Sequence, residues 1–186
     1  MAVFAFVALA VGSQTDPADA VRARFRAIQD GKARPGSVLV FNARELNAYA
    51  RNELPTVVPQ GVRELRLELG QGTATGYAFI DFLQIERGEG VKPPWLIQKL
   101  IEGERPVKVE AKIESAAGKA TVLLQRVEIS GIAVSGSTLN FLIDNFLIPL
   151  FPTAKVNQPF DLNSHVDRIE VGPGLARVVM RKRAAN

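Results

Sequence analysis

The segment PVKVEAKIESAAGKATVLLQRVEISGIAVSG, starting at Pro106, restricts this chain more than any other. Val107, Val109, Ala111 and Ile113 alternate with Lys108, Glu110, Lys112 and Glu114. Successive side chains of a strand point to opposite faces, so this period of two predicts a strand with one dry face and one wet face. Val122, Leu123, Leu124, Val127 and Ile129 mark a partner strand, and together the two read as a long hairpin. A lone hairpin is marginally stable in water, so other elements have to cover its dry side.

Two more hairpins flank it. In GVRELRLELG, Leu65, Leu67 and Leu69 alternate with Glu64, Arg66 and Glu68. The loop GQGTATG leads into TGYAFIDFLQIERG, which is apolar on both sides. Tyr77, Phe79, Leu83 and Ile85 lie on one side, and Ala78, Ile80 and Phe82 on the other. Both faces of this strand are expected to be covered for part of its length. The last hairpin, HVDRIEVGPGLARVVM, turns at Gly172-Pro173-Gly174.

Helices separate these pairs. Asp16-Pro17 is an acidic N-cap followed by proline, and Val21, Phe25 and Ile28 follow on one face before Gly31 ends the helix. A short strand over Val38 to Phe41 precedes Asn42, which with Glu45 forms a capping-box pattern. Leu46, Tyr49 and Ala50 give the second helix its apolar side, and Pro55 is expected to stop it. A third short helix follows Pro93-Pro94, with Trp95, Leu96, Leu100 and Ile101 as its apolar residues. The fourth is TLNFLIDNFLIPLFP at 138–152, where Leu139, Leu142, Ile143, Phe146 and Leu147 form a broad apolar face. Asn140 and Asp144 leave it only a narrow polar stripe. Pro149 and Pro152 are expected to force an extended turn. Helices alternating with antiparallel hairpins predict an α+β fold, with helices on one face of a strongly curved antiparallel sheet.

A length of 186 residues fits one domain. The apolar run from Ala2 to Val11 has the length of a signal-peptide h-region, although no basic residue precedes Arg22. Residues 1–20 therefore read as a signal peptide or N-terminal anchor remnant, and 21–186 as a single domain. The alternative is a buried N-terminal strand or helix. Neither this run nor 138–152 reaches the ~20 apolar residues of a bilayer span.

The chemistry-bearing residues are sparse. There is no cysteine, which removes disulfides, thiolate metal sites and cysteine nucleophiles. The single histidine, His165, rules out a two-histidine metal site in one chain. Ser164, His165 and the nearby Asp161 and Asp167 lack a nucleophile elbow, and sequence neighbours rarely meet in triad geometry. Gly70 to Gly76 lacks the spacing of a nucleotide loop and leads into a strand, so it reads as a hairpin turn. Asp81 interrupts an apolar strand; it is a buried functional acid, the point where the strand bends to water, or the partner of an arginine. No pattern calls for a cofactor. Net charge is +4. Arg22, Arg24 and Arg26, with Arg177, Arg181, Lys182 and Arg183, are either solvated surface or a contact for anionic headgroups of a membrane. They are not interleaved with exposed aromatics, so nucleic-acid binding is not expected.

Three phrases carry a family resemblance. VLVFNARELNAYARNELP places "ELN" on a helix after a short strand. VLLQRVEISGIAVSGSTLNFLIDNFLIPLF runs a long strand through a small-residue turn into an apolar helix. HVDRIEVGPGLARVVM closes with a hairpin. The pattern, over roughly residues 38–181, resembles that of small bacterial extracytoplasmic proteins, the YceB-like lipoproteins and LmeA-like proteins. These are related to the TULIP-like lipid-binding fold. The lipoprotein cysteine of that group is absent here.

The resemblance implies a non-catalytic protein of the cell envelope, periplasmic or secreted and in contact with membrane, not an enzyme. It would bind or carry a lipid or another amphipathic molecule in an apolar groove. Leu139, Leu142, Ile143, Phe146 and Leu147 would form one wall. Phe79, Leu83, Trp95, Leu96, Val109 and Ile113 would form the other. They would replace acyl-chain hydration, at about 0.8 kcal/mol per buried methylene. A headgroup would meet the basic surface or Asn140 and Asp144. The alternative is a structural or interaction protein of the envelope with the same fold, a filled core and no ligand.

Overall fold

The computed structural model describes residues 16–57, 61–85, 94–150 and 154–183. The apolar N-terminal run lies outside them. The chain is α+β, and its strand pairings are antiparallel within two open sheets. The elements run α1 (Pro17–Gln29), β1 (Val38–Asn42), α2 (Ala43–Val57), β2 (Val62–Leu69), β3 (Thr73–Asp81), α3 (Trp95–Ile101), β4 (Glu104–Ala116), β5 (Lys119–Ile129), β6 (Ile132–Val134), α4, β7 (Pro159–Asp161), β8 (Val166–Gly172) and β9 (Leu175–Met180). Helix α4 starts as Gly136–Leu142, widens into a π-helical segment over Ile143–Leu147 and ends in the turn Ile148–Leu150.

Local chemistry sets several of these boundaries. Asp16 caps α1 by accepting the Ala18 N–H at 2.9 Å. Asn42 and Glu45 form the reciprocal capping box: the Glu45 N–H donates to Asn42 Oδ1 at 2.8 Å, and the Asn42 N–H donates to Glu45 Oε2 at 3.2 Å. Pro173-Gly174 makes the β8–β9 turn, with Gly174 at φ +72°, a conformation that favours glycine.

Two expectations about proline are corrected. Pro55 lies inside the last turn of α2, and Pro149 inside the last turn of α4, while Pro152 lies outside the described residues. Near a helix end, proline's missing N–H removes only one hydrogen bond, so the helical path continues past it.

The larger sheet has the order β2-β3-β4-β5-β6, and β7 pairs with β5 beyond the reach of β6. The smaller has the order β1-β9-β8, which joins the first strand to the last hairpin. Strand β8 runs past the tips of both long hairpins. The Gly72 N–H donates to Val171 O at 2.9 Å, and the Gly118 N–H to Asp167 O at 2.6 Å. Ser115 Oγ accepts the Ile169 N–H at 2.9 Å. Register shifts at Arg63/Arg66 and Glu110/Ala111 interrupt the larger sheet, and bulges of this kind bend the strands that carry them.

The apolar interior is divided in two. One core gathers Phe82 and Ile85 from the turn after β3, Ile97 and Ile101 from α3, Ile129 and Val134 from the sheet, and Leu142 and Phe146 from α4. Phe82 and Phe146 meet edge to face, with ring centroids 5.1 Å apart. The other joins Val21 and Ile28 of α1 to Phe41, Val166, Val178 and Met180 of the smaller sheet. There Phe25 stacks on Phe41 at 5.0 Å and meets Tyr49 edge to face at 5.2 Å.

Candidate functional site

Between the two cores lies the middle of the larger sheet. Register fixes which residues share its dry face. Leu67 opposes Gly76, Gly76 opposes Val109, Val109 opposes Val127, and Val127 opposes Val134. This row crosses five strands without a polar side chain. The next row is Leu69, Ala74, Ala111 and Leu124, followed by Ile113 and Val122.

Most of this floor is only half-buried; Ala111, Val127 and Val134 are the buried members, and Val134 belongs to the first core. Leu67, Leu69, Val109, Ile113, Val122 and Leu124 belong to neither core. The floor is open at β3: a Cβ built on Gly76 would meet nothing within 4 Å among the described residues. Ala74, Gly76 and Ala78 keep the β3 part of the floor low, because none has a side chain beyond a methyl group.

The edges of this floor are held by asparagine. Asn47 of α2 behaves as a short extra strand beside β2. Its Nδ2 donates to Leu67 O at 2.8 Å and its Oδ1 accepts the Leu67 N–H at 2.7 Å. The same Nδ2 also donates to Ala43 O at 2.7 Å. At the opposite side, Asn157 takes the Leu124 N–H on its Oδ1 at 2.7 Å and donates its own N–H to Val122 O at 3.0 Å. Both contacts satisfy strand groups that would otherwise stand unpaired at an edge. Glu45 of the same "ELN" phrase receives two hydrogen bonds from Arg24, at 2.9 and 3.2 Å. This guanidinium contact, helped by the Asn42 N–H, holds the Glu45 carboxyl below its usual value against the effect of desolvation.

The eleven residues proposed for a groove do not gather in one place. Leu142 and Phe146 are buried in the first core, and Leu139 packs against it. Ile143 and Leu147 are half-buried on the π-helical turn. There the Asn145 side chain donates to Phe141 O at 2.8 Å. Val109 and Ile113 lie on the open floor. The other four point elsewhere. Phe79 lies on the opposite face, opposite Arg63 and Pro106, and is 38 % exposed. Leu83, Trp95 and Leu96 are 59 %, 71 % and 63 % exposed at the surface of the first core.

The stretch expected to be covered on both faces for part of its length is half-buried along the middle of β3, and is fully buried only at Phe82 and Ile85 beyond its end. Strand β3 ends at Asp81, whose carboxylate accepts the Leu83 N–H at 3.0 Å and the Gln84 amide at 2.7 Å. Asp81 turns the chain, so that Phe82 and Ile85 both reach the core although an extended strand would separate them. Sequence reading also missed Asn47 and Gly76. The alternation of Ala74, Gly76 and Ala78 is the sequence signal for the latter, at the overlap of the loop GQGTATG with the strand TGYAFIDFLQIERG.

The remaining candidates have ordinary surroundings. His165 is exposed, and its ring lies against Gly31, where an added Cβ would come within 2.6 Å of Nε2. Among the described residues no group of three or more His, Asp or Glu side chains is arranged to hold a metal. The Gly70–Thr73 loop closes β2 on β3, with the Gly70 N–H donating to Thr73 O at 2.9 Å. Arg22 pairs with Asp19 and Glu53, and Arg24 with Glu45. Asn140 and Asp144 are exposed on α4.

Two open clefts lie away from the floor. One of about 350 Å³ on the polar face is lined by Arg66, Tyr77, Phe79, Pro106 and Lys108 among others. There Arg66 sits 4.4 Å from the Tyr77 ring centre. Another of about 440 Å³ lies between α1 and α2, beside Arg26, Gln29 and Tyr49. The described helices include none long and apolar enough to cross a membrane. No protein-family model, curated protein or solved structure matches this chain.

Proposed function

We propose that this protein binds or carries a lipid or another amphipathic molecule without catalysis, and that the apolar part of the ligand lies on the open floor of the larger sheet. The observation that carries this reading is the space over Gly76, unfilled among the described residues, in an apolar row that crosses five strands and is only half-buried over Leu67, Gly76 and Val109. A surface of this kind is unfavourable in water, and each methylene laid on it contributes up to about 0.8 kcal/mol. The reading keeps the TULIP-like comparison, with a sheet forming one side of an apolar groove. It moves the groove from the face of α4 to the floor beside it. An extracytoplasmic place in the cell envelope belongs to the same proposal.

The test is to purify the protein from cells and extract what it holds for mass spectrometry. A copurifying lipid is expected, together with displacement of a fluorescent fatty-acid probe. Gly76→Leu should fill the space and abolish probe binding while the protein stays folded, because the backbone there is not in the left-handed region. Preparations that are repeatedly free of lipid and bind no probe would overturn the proposal.

A second reading has its own support. Leu142 and Phe146 are covered by protein side chains, so the α4 end of the molecule is a filled core. An envelope protein with a structural or interaction role and no small ligand would have such a core throughout. It predicts that Gly76→Leu is silent in every binding assay.

A further inference from the structure

Three strongly exposed large apolar side chains, Leu83, Trp95 and Leu96, lie on the turn after β3 and on α3. Phe82 and Ile85 of the turn after β3, and Ile97 and Ile101 of α3, all enter the first core. Their outward neighbours Leu83, Trp95 and Leu96 are each more than half exposed. Scattered apolar residues are ordinary on a protein surface, but a tryptophan and two leucines on adjoining segments call for a partner.

The surrounding charge indicates which partner. Helix α3 carries one charged residue, Lys99, whose ammonium lies 5.9 Å from the Trp95 ring centre. Arg105 follows at the start of β4 and donates to the Lys99 carbonyl at 3.3 Å. Its Nε is buried with no hydrogen-bond partner among the described residues. Neither Lys99 nor Arg105 belongs to an ion pair with a described carboxylate, whereas Arg63, Lys108 and Arg126 nearby on the sheet do. Glu102, the C-cap of α3, is the nearest acidic side chain in sequence to Lys99. Tryptophan suits a membrane–water interface, where its ring is buried and its N–H stays wet. Flanking lysine and arginine reach anionic headgroups.

We infer that α3 and the turn after β3 dock on a membrane: Trp95, Leu96 and Leu83 enter the interfacial layer while Lys99 and Arg105 meet anionic phospholipid headgroups. The basic segments singled out in the sequence are not needed for this, since Arg22 and Arg24 are already paired with carboxylates. The inference does not depend on a ligand in the groove, because these residues lie off the floor.

Trp95 is the only tryptophan in the chain, so its fluorescence reports on the docking segment alone. Titration with vesicles of phosphatidylglycerol and phosphatidylcholine should shift its emission to the blue, and added salt should weaken the effect. Vesicles of phosphatidylcholine alone should bind less. Leu83→Ser with Leu96→Ser keeps the reporter and removes two exposed leucines. At about 0.8 kcal/mol per buried methylene, vesicle affinity should fall more than about tenfold. Gly76→Leu should dock normally even if it binds no lipid probe, which separates this inference from the proposed groove. Absence of a shift with the anionic vesicles overturns it. So does a shift that grows with protein concentration and needs no vesicles, which would mean pairing with a second copy. Equal binding to neutral vesicles overturns the headgroup part.

Discussion

The dry face of the larger sheet meets two different fates. At its α4 end, Ile129 and Val134 are sealed beneath Leu142, Phe146 and α3. A few residues along the same strands, Val109 and Leu124 remain half-buried and belong to neither core. The residue types are alike in the two regions, so hydrophobicity does not distinguish them. What differs is whether another of the described elements lies overhead. Covered strands behave as a core, in which volume is defended. Uncovered strands behave as a surface that has kept its apolar character.

Mutations should expose this contrast, and the largest effect is expected at the sealed end. Phe146→Ala removes a buried ring that meets Phe82, and should cost about 3–5 kcal/mol in chemical denaturation. If the loss is below 1 kcal/mol, the sealed end is not a core of the kind described. Asn47→Leu, at the boundary of the floor, leaves the Leu67 N–H and C=O without their side-chain partner. A loss of about 1–3 kcal/mol is expected by the same measurement, with faster amide exchange at Leu67.

Glu45→Gln keeps a capping acceptor but loses the ion pair with Arg24, and should cost about 0.5–1 kcal/mol at neutral pH. Its pH dependence has a definite sign. The folded-state value of Glu45 is depressed by the Arg24 hydrogen bond, so its contribution is present above the unfolded value of about 4.3 and disappears as the pH falls through the folded value. Melting temperatures of the two proteins should therefore differ at pH 7 and converge in acid. A gap that persists in strong acid would assign the effect to helix capping.

The smallest change in stability belongs to the open floor. Val109→Ala should cost less than about 1 kcal/mol, since a half-exposed position leaves no sealed cavity. A loss as large as that of Phe146→Ala would mean that the floor is covered, and would remove the contrast.

Sequence patterns located the elements well where the signal is local. The capping box at Asn42 and Glu45, the Asp16 N-cap and the Pro173-Gly174 turn need only neighbouring residues to act. In the "ELN" phrase the sequence shows a helix start but not what its residues hold. Glu45 caps its own helix, which is a local event, but Asn47 fastens a strand twenty residues away. Trp95 and Leu96 were assigned inward because they are apolar. Ile97 and Ile101 occupy the inward face instead, and a short helix offers too few turns for periodicity to choose between them.

The sequence by itself determined the α+β order, the alternation that gives the larger sheet one dry and one wet face, and the absence of cysteine chemistry. Only the tertiary structure decided the pairing of β1 with β9, the division of the interior into two cores and the space over Gly76 that no described residue fills. The physical reason is the range of the interactions. Strand period and capping are fixed within a few residues, whereas cover over a strand depends on elements distant in the chain. Alternation states that a face avoids water, but not what keeps the water away.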